Sequence, residues 1–119
     1  MNSIWITEFA RGFTLPLPPR NNRYYRHDRG ITHLSSEGKQ YKQTVAALLH
    51  GMTPLEGNVV LHATIFRARK AGDLDGFFKG LLDAMNGIAY TDDRQIVELH
   101  AYREDDKDDP RVEVRVEAQ

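Results

Sequence analysis

The sequence predicts a single α+β domain spanning residues 1–119, a mixed β-sheet of about four strands carrying two helices. Three observations carry that expectation. Two stretches, Asn58 to Arg67 and Val112 to Val116, alternate apolar and polar residues at the period of a strand. Two others, behind Ser35 and behind Asp73, place apolar residues at helical spacing after a residue able to cap. The length of 119 residues suits one modest core rather than two.

Taken in order, residues 1–10 are mildly apolar and read as an extra strand or a loose extension. Phe13, Leu15 and Leu17 alternate with Thr14 and Pro16, a strand that proline confines to an edge or an end. Pro18-Pro19 stops it, and Arg20 to Thr32 reads as a polar loop. Ser35 or Ser36 caps a helix, with Glu37 in its first turn. Tyr41, Val45, Leu48 and Leu49 form its apolar stripe, and Gly51 ends it. Val59, Leu61, Ala63 and Ile65 share one strand face. Asp73 caps a second helix with Leu74, Phe77, Phe78, Leu81, Leu82 and Met85 as its stripe and Gly87 as its stop. Gly76 and Gly80 each weaken that helix by roughly 1 kcal/mol against alanine, so packing has to hold it. Val97, Leu99 and Ala101 mark a strand, the Glu104–Pro110 stretch a solvated loop, and Val112, Val114 and Val116 a last strand.

Composition excludes several classes. Hydrophobic residues are 40% and charged residues 28%, as in globular domains. There is no apolar run near the roughly 20 residues of a membrane span, so no membrane partner is expected, and the first residues lack the pattern of a secretory signal. The absence of cysteine removes thiol nucleophiles and thiolate metal sites, and favours a reducing cytoplasm. The net charge of −1 conceals an asymmetry: Met1 to Lys70 carries +6 and Ala71 to Gln119 carries −7. Such a chain suits gripping an anion with one part and a cation with the other.

The chemistry concentrates in Asp73, Asp75, Lys79, Asp92 and Asp93. Carboxylates converging on one point can hold Mg²⁺, a hard cation that prefers oxygen. Deep in a helix Asp73 and Asp75 would diverge by roughly 200°. At a helix entrance both can face one ion, and Lys79 lies four residues beyond Asp75, beside an expected phosphate. Metal and lysine together suit hydrolysis of a phosphodiester. The bland alternatives stand beside this reading. Asp73 and Asp75 serve as a cap and dipole partner, Asp75–Lys79–Asp83 as an i, i+4 charge ladder, and Asp92-Asp93 as turn residues.

Pro18 to His27, then Thr32 to Gly38 with Tyr41, closely resembles the N-terminal motif of the RusA family of Holliday junction resolvases. Asp73-Leu74-Asp75, Lys79 and Asp92-Asp93-Arg94-Gln95 resemble its catalytic half, and order and spacing match from Phe13 to Glu117. The resemblance implies a Mg²⁺-dependent endonuclease, typical of phages and prophages, that nicks opposed strands of four-way junction DNA. Paired cuts imply a homodimer. The resemblance makes Asp73, Asp75, Asp93 and Lys79 catalytic, with Asp92 a further metal candidate. Departures are visible. Gly76 stands where the family commonly has Asn. Ala71-Gly72 intervene before Asp73, residues 1–10 have no counterpart, and the spacing from Lys79 to Asp93 is slightly short.

Arg20, Arg23, Arg26, Arg29, Arg67, Arg69 and Lys70 are candidates for phosphate contacts, and Tyr24 and Tyr25 for stacking on unpaired bases. The five histidines show no ligand spacing and read as surface or structural, and Trp5 as core or interface. Two other functions fit the residues: a non-catalytic nucleic-acid-binding module, with Gly76 a mark of decay, and another Mg²⁺-dependent phosphohydrolase of small substrates. Retention of the matched aspartates and Lys79 argues against the first, and the breadth of the basic segments against the second.

Overall fold

Val59–Arg67 alternates buried and half-buried side chains along its whole length, as a strand does when one face lies on the core. It is β5, and the rest of the sheet assembles around it. In the computed structural model, which describes residues 3–67 and 74–119, β1 (Ile4–Ile6) and β2 (Ala10–Leu15) come first. A single helical turn, α1 (Asn21–Tyr24), leads into a hairpin of β3 (Tyr25–Asp28) and β4 (Ile31–Leu34). Helix α2 (Ser36–Leu48) precedes β5. A 3₁₀ turn (Leu74–Phe77) then runs into α3 (Phe78–Ala84), and a second 3₁₀ turn (Asp93–Gln95) into β6 (Ile96–Asp105). β7 (Arg111–Ala118) closes the sheet.

The described sheet has the order β1-β2-β7-β5-β6, with β5 and β6 parallel and the other pairs antiparallel. It is therefore mixed, as expected, but it holds five strands rather than about four, with β3 and β4 as a separate two-stranded sheet. Ile4–Ile6 supply the extra strand: β1 pairs with β2, and Trp5 lies across Gly12 so closely that no side chain fits there. The helices cover one sheet face. Tyr41, Val45 and Leu49 of α2 join Phe77, Phe78, Leu81 and Met85 over Leu61, Ile65, Val112 and Val116. The opposite face carries His62 and His100, stacked at 4.6 Å, among alternating charges of β7.

Three differences from the sequence reading have local causes. Arg20 to Thr32 is not a plain loop. Arg29 and Gly30 both take positive φ (53° and 77°), the pattern of a two-residue hairpin turn. Arg-Gly is a less common signal for it than Asn-Gly. The second helix is broken into a 3₁₀ turn and α3, so Asp75 and Lys79 do not share one α-helical face. A β-bulge against Val59 and Val60 leaves Val97 unpaired and 47% exposed, so only Leu99 and Ala101 keep their place opposite Leu61 and Ala63. The expected cap holds: the Ser35 hydroxyl oxygen accepts from the Gly38 N–H at 3.0 Å.

Tyr24 joins the two helices. Its side chain is fully buried, its ring meets Tyr41 edge-on at 6.3 Å, and it fits between Gly38 of α2 and Gly80 of α3. Base stacking by Tyr24 is therefore corrected to a core role, because the ring has no surface to offer. Burial pushes its phenol up to about 12.

A Cβ on Gly80 would lie 2.5 Å from the Tyr24 ring. Overpacking of that kind costs about 1–3 kcal/mol, against at most about 1 kcal/mol gained in helix propensity. Gly80→Ala is thus expected to destabilise the protein by about 1–2 kcal/mol in urea unfolding; a stabilised variant would contradict the packing described for Tyr24.

Candidate active site

Helix α3 presents Lys79 and Asp83 one turn apart, and the β3 hairpin brings Tyr25 onto both. The Tyr25 hydroxyl donates a short hydrogen bond to Asp83 Oδ2, and the Lys79 ammonium stands 4.4 Å from the centre of the Tyr25 ring. Burial, then the hydrogen bond to Asp83, pushes the Tyr25 phenol far above its ordinary range. Tyr25 is thus protonated at neutral pH and acts as the donor. A surface hollow lined by Tyr25, His33, Lys42, Lys79, Asp83 and Asn86 opens beside the pair.

The second half of the site is the turn before β6. Asp92 Oδ1 accepts from the Arg94 N–H at 2.9 Å, and Gln95 Oε1 accepts from the N–H groups of Asp92 and Thr91 at 2.9 and 2.8 Å. Gln95 Nε2 donates at 2.8 Å to the carbonyls of both Leu55 and Gly57. This capping box fixes the backbone of Asp92 and Asp93 to the loop entering β5. Below it, the buried Tyr90 hydroxyl donates to the Leu82 carbonyl at 2.8 Å, tying the turn to α3.

Asp93 is brought to Asp83 and Asp92. Partial burial, hydrogen bonding to both carboxyl groups and their negative charge hold the Asp93 carboxyl above the usual carboxylate range. Asp92 goes the other way, because the Arg94 backbone N–H stabilises its anion. Asp83 of α3 and Asp92 and Asp93 of the 3₁₀ turn before β6 are therefore neighbours, and Asp83 shares the Tyr25 side chain with Lys79. Two of the participants were assigned otherwise from sequence. Asp83 read as a rung of a charge ladder, and its i+4 spacing from Lys79 was the available signal. Tyr25 read as a base-stacking ring, and nothing in the local sequence announces its reach to α3.

The remaining expected residues are distributed as follows. Asp73, Arg69 and Lys70 lie outside the described residues. Asp75 is exposed on the 3₁₀ turn that leads into α3. Arg20 sits half-buried, its guanidinium carbon 4.7 Å from the Phe77 ring centre. Arg23 is exposed and bonded to Glu37 at 3.0 Å, and Arg26 is exposed on β3. Arg67 is corrected: its side chain is buried and paired with Asp105 at 3.1 Å, which joins the ends of the parallel strands and withdraws the guanidinium from a passing phosphate.

The donors present are of the type Mg²⁺ takes, carboxylate oxygens throughout. Burial first, and then the neighbouring Asp92 and Asp83, holds the Asp93 carboxyl above its ordinary range, and a divalent cation would favour its ionised form. Among the described residues no three such side chains are already spaced as a complete ligand set.

The family model described as "Endodeoxyribonuclease RusA" matches residues 16–117. The crossover junction endodeoxyribonuclease rusA of Enterobacteria phage 82 is 38% identical over 98 residues, covering 76% of this chain and 79% of that protein. The protein of the same name from Escherichia coli strain K12 is 37% identical over 98 residues, with the same shares of each chain. That from Shigella sonnei is 36% identical.

Because the folded pKa of Asp93 is raised, its protonated form is favoured by folding. That contribution is complete below the unfolded value of 3.8 and is lost as pH rises through the folded value. At neutral pH in EDTA the ionised Asp93 is a liability. Asp93→Asn should then raise the melting temperature at pH 7, with the advantage vanishing as pH falls below the usual carboxylate range. A scan of melting temperature against pH for both proteins checks this; a lowered melting temperature at pH 7 would contradict the crowding.

Proposed function

This chain belongs to the RusA family of endodeoxyribonucleases, and we propose that it resolves four-way DNA junctions by paired symmetric nicks, as a homodimer with Mg²⁺ held by Asp73, Asp75, Asp92 and Asp93. As an endodeoxyribonuclease it hydrolyses phosphodiester bonds of DNA. The single observation that supports the assignment of the site is that Asp93 neighbours Asp83 and Asp92 while Tyr25 links Asp83 to Lys79, on elements joined to the segment that carries the exposed Arg23 and Arg26.

Mg²⁺, when bound, supplies Lewis-acid charge to the phosphodiester and raises the acidity of water near it. The protein's own residues do the rest. Asp75 and Asp93, on two separate elements, would supply hard oxygens to hold the cation. Lys79 adds a point charge for the scissile phosphate, and its place over the Tyr25 ring restrains a side chain that would otherwise wander. Asp83, fixed by the Tyr25 hydroxyl, keeps Asp93 facing the site. Arg23 and Arg26 hold backbone phosphates without reading bases.

Two opposed nicks require two active sites related by symmetry, which a two-fold dimer provides. Exposed Trp5, Ile6 and Phe9 near one sheet edge and Val97 and Leu99 at the other offer apolar surface of the kind subunits cover. Among the described residues no helix is long and apolar enough to cross a membrane. A cytoplasmic setting fits a DNA substrate and the lack of cysteine.

A synthetic four-way junction and a linear duplex, each incubated with Mg²⁺ and with EDTA, separate this reading from its rivals. Paired nicks in the junction with Mg²⁺ alone support it; binding without cleavage, or equal cutting of the duplex, contradicts it. Asp75→Asn should lower junction cleavage by more than about 100-fold, beyond the loss typical of groups that only support a ligand, while junction binding in EDTA persists. Arg26→Ala should weaken junction binding and reduce the slope of log affinity against log salt by about 1. An unchanged slope would remove Arg26 from the phosphate contacts.

A further inference from the structure

Arg20 is bound into two elements at once. Its backbone, extended at φ −62° and ψ 157°, starts α1, and its carbonyl accepts from the N–H groups of Arg23 and Tyr24 at 2.8 and 2.9 Å. Its side chain leaves that segment altogether and seats on the 3₁₀ turn Leu74–Phe77. The guanidinium stacks on the Phe77 ring, and it fills the space that a side chain at position 76 would need: a Cβ built on Gly76 would lie 2.7 Å from Arg20 Cζ and closer still to Nη2. The φ of Gly76 is not among the positive values, so backbone conformation does not demand glycine there. The neighbouring guanidinium occupies that space as it lies, and a side chain at 76 would have to displace it from the Phe77 ring.

We infer that Arg20 is a positioning residue for the metal-binding turn, and that position 76 is glycine in this chain in order to admit it. This rests on the Mg²⁺-nuclease reading above. Asp75 is the residue immediately before Gly76, on a turn only four residues long whose hydrogen-bond geometry is intrinsically poor. A planar cation stacked against that turn does two things. It fixes the turn to the start of α1 through a side chain whose backbone is already anchored, and it holds a permanent positive charge against Gly76, the residue that follows Asp75. The amide that the resemblance leads one to expect at 76 is thereby replaced by a guanidinium delivered from a distant part of the chain. Lysine would not substitute, because its ammonium lacks the flat face that both Gly76 and Phe77 accept. Arg20 is thus separated in role from Arg23 and Arg26, whose side chains remain exposed for phosphate.

The test is a double-mutant cycle of Gly76→Asn, Arg20→Ser and both together, read three ways: thermal unfolding in EDTA, junction affinity in EDTA, and the Mg²⁺ concentration that gives half-maximal junction cleavage. Gly76→Asn should lower the melting temperature and raise the Mg²⁺ requirement at least about tenfold, as loss of a group supporting a ligand does. Arg20→Ser should raise the Mg²⁺ requirement likewise and leave junction affinity and its salt slope unchanged. The double variant should recover much of what Gly76→Asn loses, a clear departure from additivity. An additive cycle overturns the pairing. A flattened salt slope in Arg20→Ser with an unchanged Mg²⁺ requirement makes Arg20 a phosphate contact and overturns its positioning role. If Gly76→Asn does not fold, recovery of folding in the double variant supports the pairing and failure of both overturns it. Wild-type protein that does not cut junctions defeats the nuclease reading instead, while the thermal cycle still decides whether Arg20 and Gly76 act as a pair.

Discussion

The partial burial of Asp93 between two other carboxyl groups is the constraint on which the candidate site depends. Asp83, Asp92 and Asp93 come together where water is partly excluded, and the raised carboxyl of Asp93 is the mark of that crowding. Left alone, such groups would move apart. Each is held by something else: Asp83 by the Tyr25 hydroxyl, Asp92 by the Arg94 N–H, and the backbone of the pair by Gln95. The site is a polar arrangement kept under electrostatic load by hydrogen bonds from three different parts of the chain.

The fold supplies those parts. β5 and β6 are parallel, so the chain must cross over between them, and the crossover is α3 with the turn that follows. That connection brings Lys79 and Asp83 above the entrance of β6, where Asp92 and Asp93 lie. Tyr24 anchors the approach of the β3 hairpin by inserting between two glycines, one on each helix. Its neighbour Tyr25 is then delivered to Asp83. Two adjacent tyrosines thus have opposite tasks: one fills the core, the other reaches into the site.

The alternating strands β5 and β7 and the Ser35 cap were legible in the sequence, because each depends on residues close together in the chain, whereas the second helix ends at Ala84, before the expected stop at Gly87. The turn at Asp92-Asp93 was legible as a turn for the same reason. What was not legible depended on distant partners. The sequence makes Tyr24 and Tyr25 look equivalent, and only the packing of Gly38 and Gly80 decides which one is buried. Arg67 looks like one more basic residue until Asp105 is found beside it at the end of the neighbouring strand. Gly76 looks like a defect in a helix, and becomes intelligible only when Arg20 is seen lying against it.

The proposed site has Asp93 and Asp92 share a divalent cation with Asp75 and Asp73, Asp83 standing behind Asp93. Calorimetric titration of Mg²⁺ into the DNA-free protein, repeated in buffers of different ionisation enthalpy, tests it most directly. Saturable binding accompanied by proton release that grows as the pH is lowered toward the Asp93 range is the expected result, since the cation must displace the proton that crowding retains. Absence of saturable binding, or binding with no linked proton at any pH, would contradict the account.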